Sequence, residues 1–130
     1  MPVFIAAGCG PGGESNCKTT PASETPRICG ATAIPDTVQQ GQLFHFEFDY
    51  SDSDMDIKDA CFAGTIGTES FQYCQAISNS SVKQASGRGY TDSYSASDKF
   101  NSKGDVRLNF WVMDAAGRSS NILKPSLTIK

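Results

Sequence analysis

Aspartates are the residues of this sequence whose type and spacing point most clearly to a chemical role. Five of them lie within or just after two apolar runs: Asp49, Asp52, Asp54, Asp56 and Asp114. Ca²⁺ takes about six to eight hard oxygen ligands, and carboxylates at alternate positions can converge if a loop curls around the ion. An EF-hand is excluded, because Ile57 stands where glycine is required and Ala63 where a bidentate acid is needed. The five aspartates predict a calcium site; the alternative is a solvated turn, since Asp and Ser bond their own backbone in turns.

Two alternating runs must position these aspartates. In each run the apolar residues occupy every second position: Phe44, Phe46, Phe48 and Tyr50 in the first, and Val106, Leu108, Phe110 and Val112 in the second. Successive side chains of a strand point to opposite faces, so each run supplies one apolar face. We expect Phe46, Phe48, Leu108 and Phe110 to be among the most buried residues.

The remaining pattern predicts an all-β fold. No window shows a sustained helical period, and about seven short runs are separated by turn signals. The expected architecture is an immunoglobulin-like antiparallel β-sandwich of about seven strands over residues 29–130. Residues 1–28 are expected to form an apolar segment and a Pro/Gly/Thr-rich tether. Strand boundaries in residues 78–102 are not resolved by the pattern.

Length and charge narrow the classes of partner. The chain has 130 residues, which suits one domain with a tether, and a net charge of -3. It therefore has no basic footprint for nucleic acid and no polybasic stretch for an anionic membrane surface. No apolar run reaches the roughly 18 residues of a transmembrane helix.

Cysteine spacing predicts two disulfides. Cys61 and Cys74 flank a stretch with glycines near its middle, and Cys17 and Cys29 would close a second small loop. Each bridge would contribute about 3 kcal/mol by restricting the unfolded chain. A zinc site is the alternative, but there is no C-x-x-C motif and His45 is the sole histidine. Disulfides indicate an oxidising compartment, so we expect a secreted or cell-surface protein.

The fifth cysteine, Cys9, follows Ala7-Gly8 and precedes a Gly/Ser-rich stretch. This arrangement resembles the lipobox of bacterial lipoproteins, which implies lipidation of Cys9 and membrane attachment through that lipid alone. The sequence departs from the lipobox pattern because the apolar stretch is short and has no positive region before it. An accidental Ala-Gly-Cys is one alternative. Another is that residues 2–7 form an apolar arm that packs on a neighbouring copy.

The region from residue 31 to 130 resembles bacterial immunoglobulin-like, cadherin-like and PKD-like extracellular modules. The matching residues are Gly41, Phe44, Phe46, Phe48, Asp52, Asp54, Asp56, Gly104, Leu108, Phe110, Val112, Asp114 and Gly117. The resemblance implies a sandwich fold more than a specific function.

The sequence favours a binding or structural role over catalysis. His45 lies between two phenylalanines and no G-x-S-x-G motif accompanies it, so we expect no enzyme. Trp111 lies opposite an apolar strand face and, with Tyr90 or Tyr94, could stack on a sugar or anchor a protein partner; the alternative is that a loop covers it. The expected function is a non-catalytic secreted or cell-surface structural or adhesive module stabilised by calcium. The alternatives are a carbohydrate-binding module and a subunit of an extracellular polymer linked through residues 2–7.

Overall fold

The computed structural model of the chain describes residues 25–96 and 102–130. Nine strands lie within these residues: β1 Arg27–Ile34, β2 Thr37–Val38, β3 Leu43–Ser51, β4 Ile57–Ile66, β5 Glu69–Ala76, β6 Ser86–Tyr90, β7 Tyr94–Ser95, β8 Gly104–Asp114 and β9 Leu127–Ile129. No helix of the described residues is long and apolar enough to cross a membrane.

The strands form two sheets. The first has the order β1-β3-β6, with β7 also pairing with β3; the second has the order β2-β9-β8-β4-β5. All pairings are antiparallel except that of β2 with β9. The predicted fold class is confirmed: the chain is an all-β, immunoglobulin-like sandwich.

Aromatic rings fill the space between the sheets. The alternating rings of β3 (Phe44, Phe46, Phe48 and Tyr50) are all buried. Phe110 of β8 comes from the opposite sheet, and its ring centroid lies 4.7 Å from that of Phe46. Phe46, Phe48 and Phe110 are 0% exposed and Leu108 is 4% exposed, so the predicted core is confirmed. The alternating pattern was sufficient to predict these core residues, because both strands have one inward and one outward face.

The first strand starts earlier than the predicted domain. β1 begins at Arg27, because Ile28 is buried and pairs with Tyr50. The sandwich therefore begins before residue 29, inside the expected tether. β9 covers Leu127–Ile129, and Leu123, four residues before it, makes an isolated bridge to Phe110.

β6 and β7 lie in residues 78–102, where the sequence pattern left the strand boundaries open. Gly89 of β6 packs so closely on the core that a β-carbon there would lie 2.6 Å from Cγ1 of Val82 and 2.9 Å from Cζ of Phe48. Only glycine fits this position without displacing one of its neighbours.

One disulfide is confirmed. Cys61 and Cys74 pair directly across β4 and β5, with their Cα atoms 4.1 Å apart. Cys29 is also disulfide-bonded. Cys17, Cys9 and residues 2–7 lie outside the described residues, so the Cys17–Cys29 pairing, the lipidation of Cys9 and the linking arm stay predictions.

Candidate functional site

The aspartate loop, residues 52–56, lies at one pole of the sandwich between the end of β3 and the start of β4. The end of β8 meets it there, because Asp114 pairs with Ile57 and the backbone N–H of Ala115 donates to the carbonyl of Asp56 at 2.9 Å. The fold thus brings Asp114 to the loop, although about sixty residues separate them in sequence.

Asp52 organises the loop from within. Its Oδ2 accepts the backbone N–H of Asp56 at 2.9 Å, and its carbonyl accepts the N–H of Met55 at 3.0 Å. Met55 adopts a left-handed conformation with φ of 56°, which is unfavourable for a residue with a β-carbon. The loop therefore closes tightly around the Asp52 side chain, and Asp52 is 1% exposed.

Arg118 holds two of the aspartates from the other side. Its Nε donates to Oδ2 of Asp114 at 2.8 Å and its Nη2 donates to Oδ2 of Asp54 at 3.1 Å. Oδ1 of Asp114 also accepts the backbone N–H groups of Ala116 and Arg118, at 3.0 and 2.8 Å. The Asp114 side chain is 0% exposed, so its charge is compensated by three donor groups of one turn.

Asp52 and Asp56 lack this compensation. Oδ1 of each carboxylate is buried and accepts no hydrogen bond from the part of the chain that the structure describes. Burial raises the pKa of Asp56 above its ordinary value, and a side-chain hydrogen bond to Asp52 together with the charges of Asp52, Asp114 and Asp54 raises it further. A buried carboxylate oxygen without a donor is costly, so the pair can be satisfied by a proton or by a cation.

The described residues contain no group of three His, Cys, Asp or Glu side chains arranged to hold a metal ion. Arg118 binds Asp54 and Asp114. Asp52 and Asp56 each keep one buried carboxylate oxygen, Oδ1, that has no hydrogen-bond donor among the described residues.

Asp49 does not join the loop. It lies on the face of β3 opposite the aromatic rings, where Nη1 of Arg88 lies 3.3 Å from its Oδ1. The reason is the two-residue period of a strand: Asp49 follows Phe48 and therefore points away from the core. Of the five predicted ligands, the structure brings four together at the pole.

The three aromatic residues predicted to bind a ligand do not share a surface. Tyr94 is 4% exposed and its ring lies 4.8 Å from that of Phe62 within the core. Burial raises its pKa to about 12. Tyr90 is exposed on the first sheet, whereas Trp111 is half-buried on the second. Tyr94 is therefore unavailable for stacking, and Trp111 and Tyr90 cannot act on one ring together.

His45 belongs to a charged row on the outer face of the first sheet. Its Nε2 lies 3.1 Å from Oε2 of Glu47, and Nε of Arg88 lies 3.7 Å from Oε1 of the same glutamate. His45 therefore lies on the face of β3 opposite the aromatic rings.

Sequence reasoning did not identify Arg118. The signal was present in the spacing, because Asp114-Ala115-Ala116-Gly117 is a turn and the fourth residue after the aspartate returns beside it. An Asp at the end of a strand and an Arg just after such a turn should be considered together.

Comparison with known proteins gives a likeness of fold. No protein-family model matches the sequence, and no curated protein matches it significantly. Among solved structures, the chain is similar to a Niemann-Pick type C2 protein from the Japanese carpenter ant, with a TM-score of 0.55, 11% identity, and 85% of this chain and 96% of that chain covered. It is also similar to part of the alkylpurine DNA glycosylase AlkC of Pseudomonas fluorescens, with a TM-score of 0.50, 10% identity, 84% of this chain and 31% of that chain covered. At these identities the likeness shows a shared fold.

Proposed function

We propose that the chain is a non-catalytic module of the cell exterior, structural or adhesive in role, whose aspartate loop binds Ca²⁺. The observation that carries the calcium binding is the Asp52 carboxylate, which is 1% exposed and keeps an oxygen without a donor among the described residues. The resemblance to extracellular immunoglobulin-like, cadherin-like and PKD-like modules, carried in part by the same loop, supports the general role.

The chemistry of the loop favours a hard cation. Oδ1 of Asp52 and Oδ1 of Asp56 are carboxylate oxygens, the ligand type that Ca²⁺ prefers, and the loop between them also carries backbone carbonyls. Asp54 is the next ligand at hand, since its side chain is 42% exposed and its ion pair with Arg118 lies at the surface. We propose that Ca²⁺ binds Asp52 and Asp56 first. It then binds Asp54, which breaks the ion pair between Asp54 and Arg118, while Asp114 keeps its hydrogen bonds from the backbone N–H groups of Ala116 and Arg118.

The disulfide supports a location outside the cytoplasm. Cys74 is exposed on the edge strand β5, where thiols of a reducing cytoplasm would reach the bridge. Bridges of this kind persist in secreted and surface proteins and are rare in cytosolic ones. Attachment through a lipid on Cys9 is part of the same proposal.

The location can be tested in the cells that make the protein. Intact cells are treated with a membrane-impermeant maleimide, before and after mild reduction, and the labelled cysteines are mapped by peptide mass spectrometry. The proposal predicts that Cys61 and Cys74 are labelled only after reduction and that the label reaches them from outside. Free thiols at Cys61 and Cys74, labelled only after the cells are opened, would contradict it.

A further inference from the structure

The outer face of the second sheet carries ordered rows of polar side chains. The register of β5, β4 and β8 places Ser70, Thr65 and Arg107 in one row. The next two rows are Gln72–Ala63–Asn109 and Cys74–Cys61–Trp111. Side chains of one row lie about 5 Å apart, because that is the spacing between strands.

The first two of these rows enclose a groove along β4. The floor of the groove is the small Ala63 of β4. Gln72 of β5 forms one wall, and Arg107 and Asn109 of β8 form the other. Lys124, from the segment before β9, closes the wall beyond β8, and its Nζ donates to Oδ1 of Asn109 at 2.8 Å. The groove has a volume of about 930 Å³, which is enough for several sugar rings.

The groove has a different charge from the rest of the protein. Its charged lining residues are Arg107, Lys124 and Asp105, which sum to +1, whereas the whole chain has a net charge of -3. Asp105 is engaged by the hydroxyl of Thr128 at 2.9 Å. The Arg107 side chain is exposed and has no hydrogen bond or ion pair with the residues that the structure describes. A guanidinium held on a strand without a partner is suited to bind a carboxylate or sulfate in two parallel hydrogen bonds.

We propose that this groove binds an acidic polysaccharide, with Arg107 and Lys124 on its anionic groups and Gln72 and Asn109 on its hydroxyls. Trp111 is half-buried in the next row of the same face, adjacent to the residues that line the groove, where its ring could stack on a sugar. A peptide fits less well, because β4 and β8 are interior strands whose backbone donors are used within the sheet. The proposal gives the carbohydrate-binding alternative a defined surface and is independent of the aspartate loop.

The test measures binding of the purified full chain to polygalacturonate, a uronic-acid polymer, and to dextran, a neutral one. Calorimetry is done in chelator, so that neither the aspartate loop nor calcium bridging of the polymer contributes. We expect binding to polygalacturonate and not to dextran. Arg107→Gln should weaken it by about tenfold or more, since a hydrogen bond to a charged group contributes about 1.5–3 kcal/mol.

Two further variants separate the groove from diffuse attraction. Ala63→Gln fills the floor without changing the charge and should abolish binding, whereas Lys58→Gln removes one positive charge outside the groove and should leave binding nearly unchanged. Melting curves confirm that each variant is folded. Absence of polygalacturonate binding, equal binding of dextran, or equal losses in Arg107→Gln and Lys58→Gln would overturn the proposal. Failure here leaves the calcium and location tests unaffected, because this assay includes no calcium and no cells.

Discussion

Asp52 and Asp56 are joined by one hydrogen bond, yet each keeps one carboxylate oxygen that has no hydrogen-bond donor among the described residues. Oδ2 of Asp52 accepts the backbone N–H of Asp56 at 2.9 Å, while Oδ1 of both carboxylates is buried without a donor among the described residues. Two carboxylates held this way repel each other when both are ionised. The loop is therefore the part of the fold whose stability should depend most on protons and cations.

Replacement of Asp56 by asparagine should stabilise the protein at neutral pH in chelator. The folded-state pKa of Asp56 is raised above the ordinary value of 3.8, so the folded state binds more protons than the unfolded state between the two values. The associated stability is present below the ordinary value and is lost as pH rises through the raised pKa. Asp56→Asn has no carboxyl group at this position, so it does not lose this stability as the pH rises.

Melting temperatures of the wild type and Asp56→Asn, measured in chelator from about pH 3 to about pH 7, check the sign. The difference should favour the variant increasingly as pH rises. Asp36→Asn, at an exposed position outside the loop, is the matched control and should show no such trend. A variant that is less stable than the wild type at neutral pH would show that Asp56 is not under repulsion.

Arg118→Gln should have opposite effects on stability and on calcium binding. Without metal the variant loses the Nε donor to buried Asp114, at a cost of about 2 kcal/mol. With the guanidinium gone, Asp54 is released, so Ca²⁺ should bind more tightly than to the wild type. Denaturant unfolding in chelator and calorimetric titration with Ca²⁺ measure the two effects separately.

Arg88→Gln is the control for this experiment, because Arg88 pairs with Glu47 and Asp49 away from the loop. Its calcium affinity should match that of the wild type. Weaker calcium binding in Arg118→Gln would mean that the arginine helps to build the site and does not compete for it.

Phe110→Ala should cost about 3–5 kcal/mol, because it empties a fully buried position at the centre of the ring cluster. Trp111→Ala, one position along the same strand and half-buried on the outer face, should cost less although it removes a larger ring. Urea unfolding of both variants gives the comparison. A loss below about 1 kcal/mol for Phe110→Ala would mean that the strand faces are assigned wrongly.

Gly89→Ala should destabilise the sandwich by about 1–3 kcal/mol through overpacking. The added carbon would lie 2.6 Å from Cγ1 of Val82, so the same substitution made in a Val82→Ala background should cost less. A double-mutant cycle of unfolding free energies measures this coupling. Additive losses would show that the clash is relieved elsewhere.

Sequence alone predicted those parts of the fold that long alternation determines. β3 and β8 each carry one consistent inward face over nine or more residues, and their core residues follow from it. β2 and β7 have two residues each, which is too short for any period, and they exist because neighbouring strands supply the pairing.

The candidate site was predicted only in part. Three aspartates of one loop are visible as a spacing, and Asp114 was included because it ends the other strong strand. The hydrogen bonds of Arg118 were missed, because they follow from the turn at residues 114–117 and not from the spacing of acidic residues that was used to find the site. Asp49 was included through its closeness in sequence, whereas strand geometry sends its side chain to the opposite face.

The most direct test of the aspartate-loop account compares thermal melts of the full chain in millimolar Ca²⁺ and in chelator. The wild type should melt at a higher temperature in Ca²⁺, by an amount that grows with calcium concentration as binding linkage requires. Asp52→Asn should abolish most of the increase and Asp36→Asn should retain it. Superimposable wild-type curves in Ca²⁺ and in chelator would contradict the account and leave the loop as a solvated acidic turn.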